Sequence, residues 1–331
     1  MNRRPSRVPR VLSIGAAIQD VFLRNSPAFR TVKIDSTHEM TELELGAKID
    51  VNKIDFSTGG GATNAAVTFA RQGLYSSFMG VVGRDIPGST ILKVLDEESV
   101  DTSRVIMDED YNTDYSTVIL APNGERTILT YRGASAQLKS EDLAIRRNEF
   151  DWLYVSNLAG RMDFIDDVFS QARDNSVKIV WNPGKKELLE DKKMKPLLED
   201  VEVLIVNKQE AQTIFEGGTL EELVYHALNI VPVIIITDGP NGVIAGDGKT
   251  IVRAGMYEDV SSVDRTGAGD AFGSGFLSQW AQGADLKQSL LFASANSTSV
   301  IQYVGAKTGI LYQNAELHSM PMSEISMVWV L

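Results

Sequence analysis

The segment Asp264-Arg265-Thr266-Gly267-Ala268-Gly269-Asp270-Ala271-Phe272-Gly273 brings a glycine-rich turn to the start of a helical pattern, with a carboxylate in the first helical turn. The leading N–H groups of a helix lack intrahelical acceptors and carry the positive end of its dipole, so they can hold an anion where charge develops. Glycines let that backbone approach a ligand closely, and Asp270 stands where a carboxylate could take a proton. A plain glycine turn before an acidic helix start is the simpler alternative.

Three further clusters carry polar chemistry. Gly59-Gly60-Gly61-Ala62-Thr63-Asn64 precedes a helix with Ala65, Ala66, Phe69 and Ala70 on its apolar positions. Consecutive glycines let a small polar ligand lie on backbone, and Asn64 offers both a donor and an acceptor. Asn207-Lys208-Gln209-Glu210 ends an apolar strand pattern, where ligands sit in open α/β sheets. Its amide and carboxylate, three apart, share a helix face and could steer hydrated Mg²⁺, or Asn207 could simply cap the helix. Gly15, followed five residues later by Asp20, leaves the first strand pattern. There a carboxylate could hold two adjacent sugar hydroxyls, or stand solvated on a loop.

Two phosphate motifs fail by one residue each. A dinucleotide GxGxxG from Gly267 needs glycine at 272, which is Phe; Gly273 comes one place late. A Walker A loop ending Gly248-Lys249-Thr250 needs glycine at 243, which is Val, and its segment lies between strand-like runs rather than before a helix.

Composition narrows the classes. The 331 residues include no cysteine and three scattered histidines, His38, His226 and His318. That excludes disulfides and thiolate chemistry and argues against a His-rich metal site. A net charge of −12 repels nucleic acid. No apolar run approaches the ~20 residues that span a bilayer. The basic opening (Arg3, Arg4, Arg7, Arg10) leads into only eight apolar residues and reads as an arm before a buried strand, not a signal peptide. The expectation is a soluble, cytoplasmic chain.

The elements that must position these residues alternate. Strand patterns at Val11–Ala16, Ser76–Val82, Trp152–Ser156, Val177–Trp181, Val203–Val206 and Val233–Thr237 are mostly continuously apolar, as in parallel strands covered on both faces. Helical patterns intervene at Ala62–Gln72, Ser89–Glu98, Phe164–Arg173, Asn207–Phe215, Leu220–Leu228 and Gly269–Gln282. Thr41–Ser57 and Thr113–Tyr131 instead alternate, the second with a hairpin signal at Pro122-Asn123-Gly124, and predict a small half-exposed flap. The class is α/β with a mostly parallel sheet.

In this order, from Val11 to Gly309, the segments resemble the ribokinase (pfkB) family of carbohydrate kinases. The opening with Gly15 and Asp20, Gly59–Asn64, Gly83-Arg84-Asp85, Asn207–Glu210, Thr237-Asp238-Gly239-Pro240-Asn241-Gly242 and Asp264–Asp270 carry the resemblance. The last is close to the family's D-T-x-G-A-G-D signature. The resemblance implies a single domain over residues 1–331: a three-layer α/β/α ribokinase-like core with a β-sheet lid at about 36–57 and 110–132.

It further implies transfer of the ATP γ-phosphoryl to a primary hydroxyl of a free sugar, ribose or a ketose first. A nucleoside kinase of the same fold is the alternative; a catalytically silent sugar sensor and an NAD-dependent oxidoreductase are more distant ones. In this reading Asp270 is the general base, and the amides of Gly267, Ala268, Gly269 and Asp270 form the anion hole. Asp20, Gly60, Gly61 and Asn64 hold the sugar. Asn207, Thr237, Gly239 and Gly242 line the ATP site, and Glu210 holds Mg²⁺ through water. Asp264 and Thr266, with backbone near Val300, Gly305 and Gly309, would hold K⁺. A homodimer through the lid is a further implication. Arg265 replaces the signature's usual Thr, Gly61 stands where many ribokinases carry Lys, and Ser294 where relatives often place an adenine-contacting Asn, with Asn296 two residues on. Arg132 ends the second flap stretch and is either a substrate contact or a solvated flap residue.

Overall fold

The apolar runs of the sequence become the central strands of one ten-stranded sheet. The computed structural model describes residues 7–24, 26, 29–35, 39–120, 126–255, 257 and 260–326. In chain order the strands are β1 (Arg10–Ile14), β2 (Ile18–Arg24), β3 (Arg30–Lys33), β4 (Glu39–Glu42), β5 (Lys53–Gly59), β6 (Tyr75–Gly83), β7 (Asp101–Asp108), β8 (Asp114–Leu120), β9 (Arg126–Tyr131), β10 (Trp152–Val155), β11 (Lys178–Trp181), β12 (Val201–Asn207), β13 (Val233–Thr237), β14 (Val243–Gly246), β15 (Thr250–Ala254) and β16 (Met322–Ser326). The helices are α1 (Gly61–Arg71), α2 (Ile86–Glu97), α3 (Met162–Asp174), α4 (Lys185–Leu188), α5 (Asp191–Leu197), α6 (Lys208–Ile214), α7 (Leu220–Leu228), α8 (Ala268–Trp280) and α9 (Leu286–Val300).

The main sheet runs β16-β15-β14-β13-β12-β11-β10-β1-β6-β7. Neighbours are parallel from β7 through β13 and antiparallel from there to β16. Alternate residues of each strand serve opposite cores. Leu12, Ile14, Leu153 and Val155 face a core with Phe164, Ile165 and Val168 of α3, Ala211 of α6 and Leu223 of α7. Val11, Trp152 and Tyr154 face the other, with Phe69 of α1, Phe276 of α8 and Leu290 of α9. This is the expected three-layer α/β/α arrangement.

A second sheet, β5-β2-β8-β9, stands apart from the first, and β3 pairs with β4. The predicted flap stretches contribute β5, β8 and β9, and Leu120 pairs with Arg126 across the predicted hairpin. The hairpin tip at Pro122–Gly124 lies outside the described residues. The first alternating stretch is not one strand: residues 43–52 between β4 and β5 are irregular.

Other differences have local causes. Helix α2 starts at Ile86, three residues earlier than expected, because Asp85 caps it by accepting from Gly88 N at 2.8 Å, with Pro87 in the first turn. Helix α9 was not expected; its buried face includes Ser294, Asn296 and Thr298, which blur the apolar period. Its start was marked by a capping box, Asp285 with Gln288. Arg10 is part of β1, with its guanidinium over the Tyr75 ring. Arg3, Arg4 and His38 lie outside the described residues, as do Met327 and Trp329, while Met322 begins β16. No helix among the described residues is long and apolar enough to cross a membrane.

Candidate active site

The chain runs from β1 outward to β6 and β7, then returns to β10 on the other side of β1. That reversal opens a crevice at the carboxyl ends of β1 and β10, where open α/β sheets place ligands. A cavity of about 390 Å³ occupies it. Its wall is built strand by strand: Ala16 after β1, Ser156 and Asn157 after β10, Asn182 and Gly184 after β11, Asn207 ending β12 and Thr237 ending β13. Gly15 is required here, since a Cβ would lie 2.4 Å from Ser156 Oγ.

Gly269 and Asp270 close the cavity from the start of α8. Gly267 caps that helix in the left-handed region (φ 80°), and a Cβ there would meet Ala306 Cβ at 2.3 Å. The first helical bond runs from Ala271 N to Gly267 O at 2.8 Å, so the amides ahead of it have no intrahelical acceptor. Ala268 N closes the turn onto Arg265 O at 3.3 Å. The cavity is therefore met by Gly269 and Asp270, not by all four expected residues.

Asp270 Oδ2 accepts from Asn64 Nδ2 at 2.8 Å. Its Oδ1 faces Gly61, where a Cβ would lie 3.1 Å away, so the missing side chain leaves that oxygen open to the cavity. Burial raises the Asp270 carboxyl above the usual carboxylate range, against the Asn64 donation and the Lys307 ammonium, which lower it. Asn64 Oδ1 accepts from Lys307 Nζ at 2.7 Å.

The structure corrects the setting of Asp20. It is not on a loop but within β2, buried and paired with Ser57 of β5; a Cβ on Gly59, two residues further along β5, would sit 2.1 Å from Asp20 Oδ2. Burial pushes its carboxyl up to about 6, with Lys307 and Ser116 pulling it down and Asp264 and Asp270 adding to the rise. Gly60 (φ 99°) packs onto the Ala16 carbonyl. Of the four expected sugar contacts Gly61 lines this cavity, and Asp20, Gly60 and Asn64 adjoin it around the glycine run.

Asn207 and Glu210 cap α6 reciprocally: Asn207 Oδ1 accepts from Glu210 N at 3.0 Å, and Glu210 Oε2 accepts from Asn207 N at 2.8 Å. Both also line the cavity, so capping α6 leaves them within reach of it. Burial raises the Glu210 carboxyl, and no cation is among the causes. A divalent cation in the cavity would relieve that cost, so the donor set fits water-mediated Mg²⁺. Thr237 lines the cavity; Gly239 and Gly242 shape the turn beyond β13, where a Cβ on Gly242 would lie 2.2 Å from Ala254 O.

Asp264 builds its own loop. Oδ1 accepts from Thr266 N and Oγ1 at 2.9 and 2.7 Å, and Oδ2 from Gly305 N at 3.1 Å. Asn296 holds α9 to α8 through Ala271 O and to Leu311 N, both at 2.8 Å, which removes it as an adenine contact; Ser294 is buried. Arg265 is exposed. Arg132 lines the cavity, as do Ser156, Asn157 and Asn182, which sequence reasoning passed over. Their position directly after strands β10 and β11 was the available signal; for Lys307 there was none.

A glycine turn that presents helix N–H groups beside a carboxylate, at the switch point of an α/β sheet, supplies the anion site and the base that phosphoryl transfer to an alcohol group requires. The family model for pfkB family carbohydrate kinases matches residues 28–312, and the chain belongs to that family. A ribokinase of Haemophilus influenzae is 25% identical over 264 residues, covering 76% of this chain and 83% of its own. Among solved structures, Methanocaldococcus jannaschii nucleoside kinase superposes with a TM-score of 0.74 at 20% identity, covering 91% of this chain and 94% of its own. A protein from E. coli described as ribokinase II, in complex with ATP and Mg²⁺, gives 0.76 at 18% identity, covering 92% and 96%. These structural likenesses fall on the ribokinase fold, and family membership sets the NAD-dependent reading aside.

Proposed function

We propose that this chain transfers the γ-phosphoryl of ATP to a primary hydroxyl of a free sugar, ribose or a ketose first. The observation that carries this is Asp270: one oxygen held by Asn64, the other open to the cavity, at the N-terminus of α8. Asp270 takes the proton of the acceptor hydroxyl as its oxygen bonds to the γ-phosphorus. The bond to the β,γ-bridging oxygen breaks, and ADP leaves with the pair. The unpaired amides at the start of α8, chiefly those of Gly269 and Asp270, stabilise the charge on the transferring group. Gly267 and Ala268 shape the turn that presents them.

Asp20, Gly60, Gly61 and Asn64 hold the sugar, and Asn207, Thr237, Gly239 and Gly242 shape the ATP side. Glu210 would hold Mg²⁺ through water, and that ion supplies charge neutralisation between phosphates. Arg132 would add positive charge to the same cavity. Residues 1–331 act as one domain in this reading, and the β5-β2-β8-β9 sheet serves as a lid that excludes water. Its exposed Phe56 and Leu129 favour pairing with a second copy. The loop of Asp264 and Thr266 is the proposed K⁺ position, and the cytoplasm the proposed compartment.

ADP release from Mg-ATP, measured across free sugars, sugar phosphates and nucleosides with and without K⁺, tests the reading. Turnover of a free sugar supports it, turnover confined to nucleosides replaces the substrate class, and silence from folded protein overturns it.

A further inference from the structure

Lys307 is 6% exposed, and its ammonium spends its three N–H groups inside the protein. Nζ donates to Thr58 O at 2.8 Å, Thr63 Oγ1 at 2.9 Å and Asn64 Oδ1 at 2.7 Å. With no donor left over, it is not placed to grip a phosphate. The three acceptors bracket the run Gly59-Gly60-Gly61, the most pliable backbone at the site. Its own backbone is fixed from outside: Arg71, paired with Glu98 at 2.5 Å, donates to Lys307 O at 3.1 Å. Gly305 N on Asp264 Oδ2 anchors the same segment two residues earlier.

Resting on the kinase reading, we propose that Lys307 is a positioning residue for the base: it fixes which way round the Asn64 carboxamide sits. A carboxamide turned by half a revolution has nearly the same shape. Turned here, it would aim Nδ2 at the Lys307 ammonium, donor against donor, and Oδ1 at the Asp270 carboxylate, acceptor against acceptor. The ammonium forbids that orientation, so Nδ2 stays on Asp270 Oδ2 and the carboxylate keeps its other oxygen toward the cavity. Burial lowers the Lys307 ammonium to about 7 and Arg71 adds to the fall, while Asp20, Asp270 and Glu98 hold it up, so the charged form that fixes the carboxamide is populated at neutral pH and below. A lysine 243 residues after Asn64 thereby sets the aim of the catalytic carboxylate.

A double-mutant cycle tests this. Lys307→Met in the wild-type background should lower kcat by about 10²-fold, the scale of a misplaced reacting group. In an Asn64→Ala background the same change should cost less than about threefold, because the effect passes through Asn64. Equal costs in both backgrounds would mean a merely structural lysine and overturn the proposal. Should Lys307→Met not fold, Lys307→Arg replaces it. A planar fork cannot put one N–H on each of three acceptors around a point, so kcat should fall about tenfold; wild-type kcat overturns the claim. The wild type is assayed first. If no compound in the panel is turned over, the kinase reading fails on its own, and a neutron structure of deuterated Lys307→Met, in which Nδ2 and Oδ1 are told apart by their deuterons, decides the positioning claim. Asn64 turned from Asp270 supports it, and an unchanged 2.8 Å contact from Nδ2 refutes it.

Discussion

Asn64 and Asp270, 206 residues apart in the chain, share a hydrogen bond of 2.8 Å from Nδ2 to Oδ2. It leaves a single carboxylate oxygen for the cavity, so the base has one direction in which to act. Asp270→Asn keeps the shape and can still accept from Asn64, but cannot take a proton. Turnover should fall by about 10²–10⁴-fold with KM little changed. The melting temperature should hold or rise, since a desolvated charge is removed. Steady-state kinetics beside a thermal melt checks both, and near-full activity removes Asp270 from its role.

Asp20 has a carboxyl raised to about 6, so it is ionised and accepting above that pH and protonated below it. An acceptor for sugar hydroxyls is then lost on the acid side. KM for the sugar should rise roughly tenfold per pH unit below 6 and stay flat above 7. Asp270 also protonates on the acid side, but that appears in kcat. In Asp20→Asn the sugar KM should be high and independent of pH from 5 to 8.

Glu210→Gln removes the charge that burial has made costly while leaving an oxygen to accept from Asn207 N. The fold should be preserved and the Mg²⁺ needed for half-maximal rate should rise several-fold. An unchanged Mg²⁺ titration would restrict Glu210 to capping α6.

Arg132 lines the cavity from the segment after β9 of the small sheet. Replacing it by Met keeps the stem and removes the charge. A loss of about tenfold or more in kcat/KM, steeper at low salt, is expected if it meets phosphate. Wild-type kinetics would identify it as a solvated lid residue.

Gly60→Ala tests the backbone. At φ 99°, with the new Cβ 2.2 Å from Ala16 O, the substitution should destabilise by about 1–3 kcal/mol. Denaturant melts read this directly; no change in midpoint would show that the loop relaxes freely.

Much of the site was legible because it is local. The glycine turn before Asp270 and the Asn207–Glu210 pair each depend on residues three or four apart, distances that helix starts set by themselves. Asp20 was legible as a candidate but not in its setting. Ile18–Arg24 shows no apolar-polar alternation, and what makes it a strand is its pairing with both β5 and β8. Asn296, two residues beyond the place where relatives often put an adenine-contacting Asn, was not legible either: packing used both its polar atoms to join α8, α9 and Leu311.

The alternation of β1, β6 and β10 to β13 with helices, the two-sided burial of those parallel strands and the carboxylate at the mouth of α8 follow from the sequence alone. Hydrophobic period and helix-end chemistry are properties of neighbours in the chain. Which strand lies beside which is decided by the sheet as a whole, and with it come Asn157, Asn182 and Arg132 around one cavity. Only there does Lys307 reach back to Asn64. A buried ammonium must find acceptors wherever the packed chain provides them, and no spacing in the sequence records where that is.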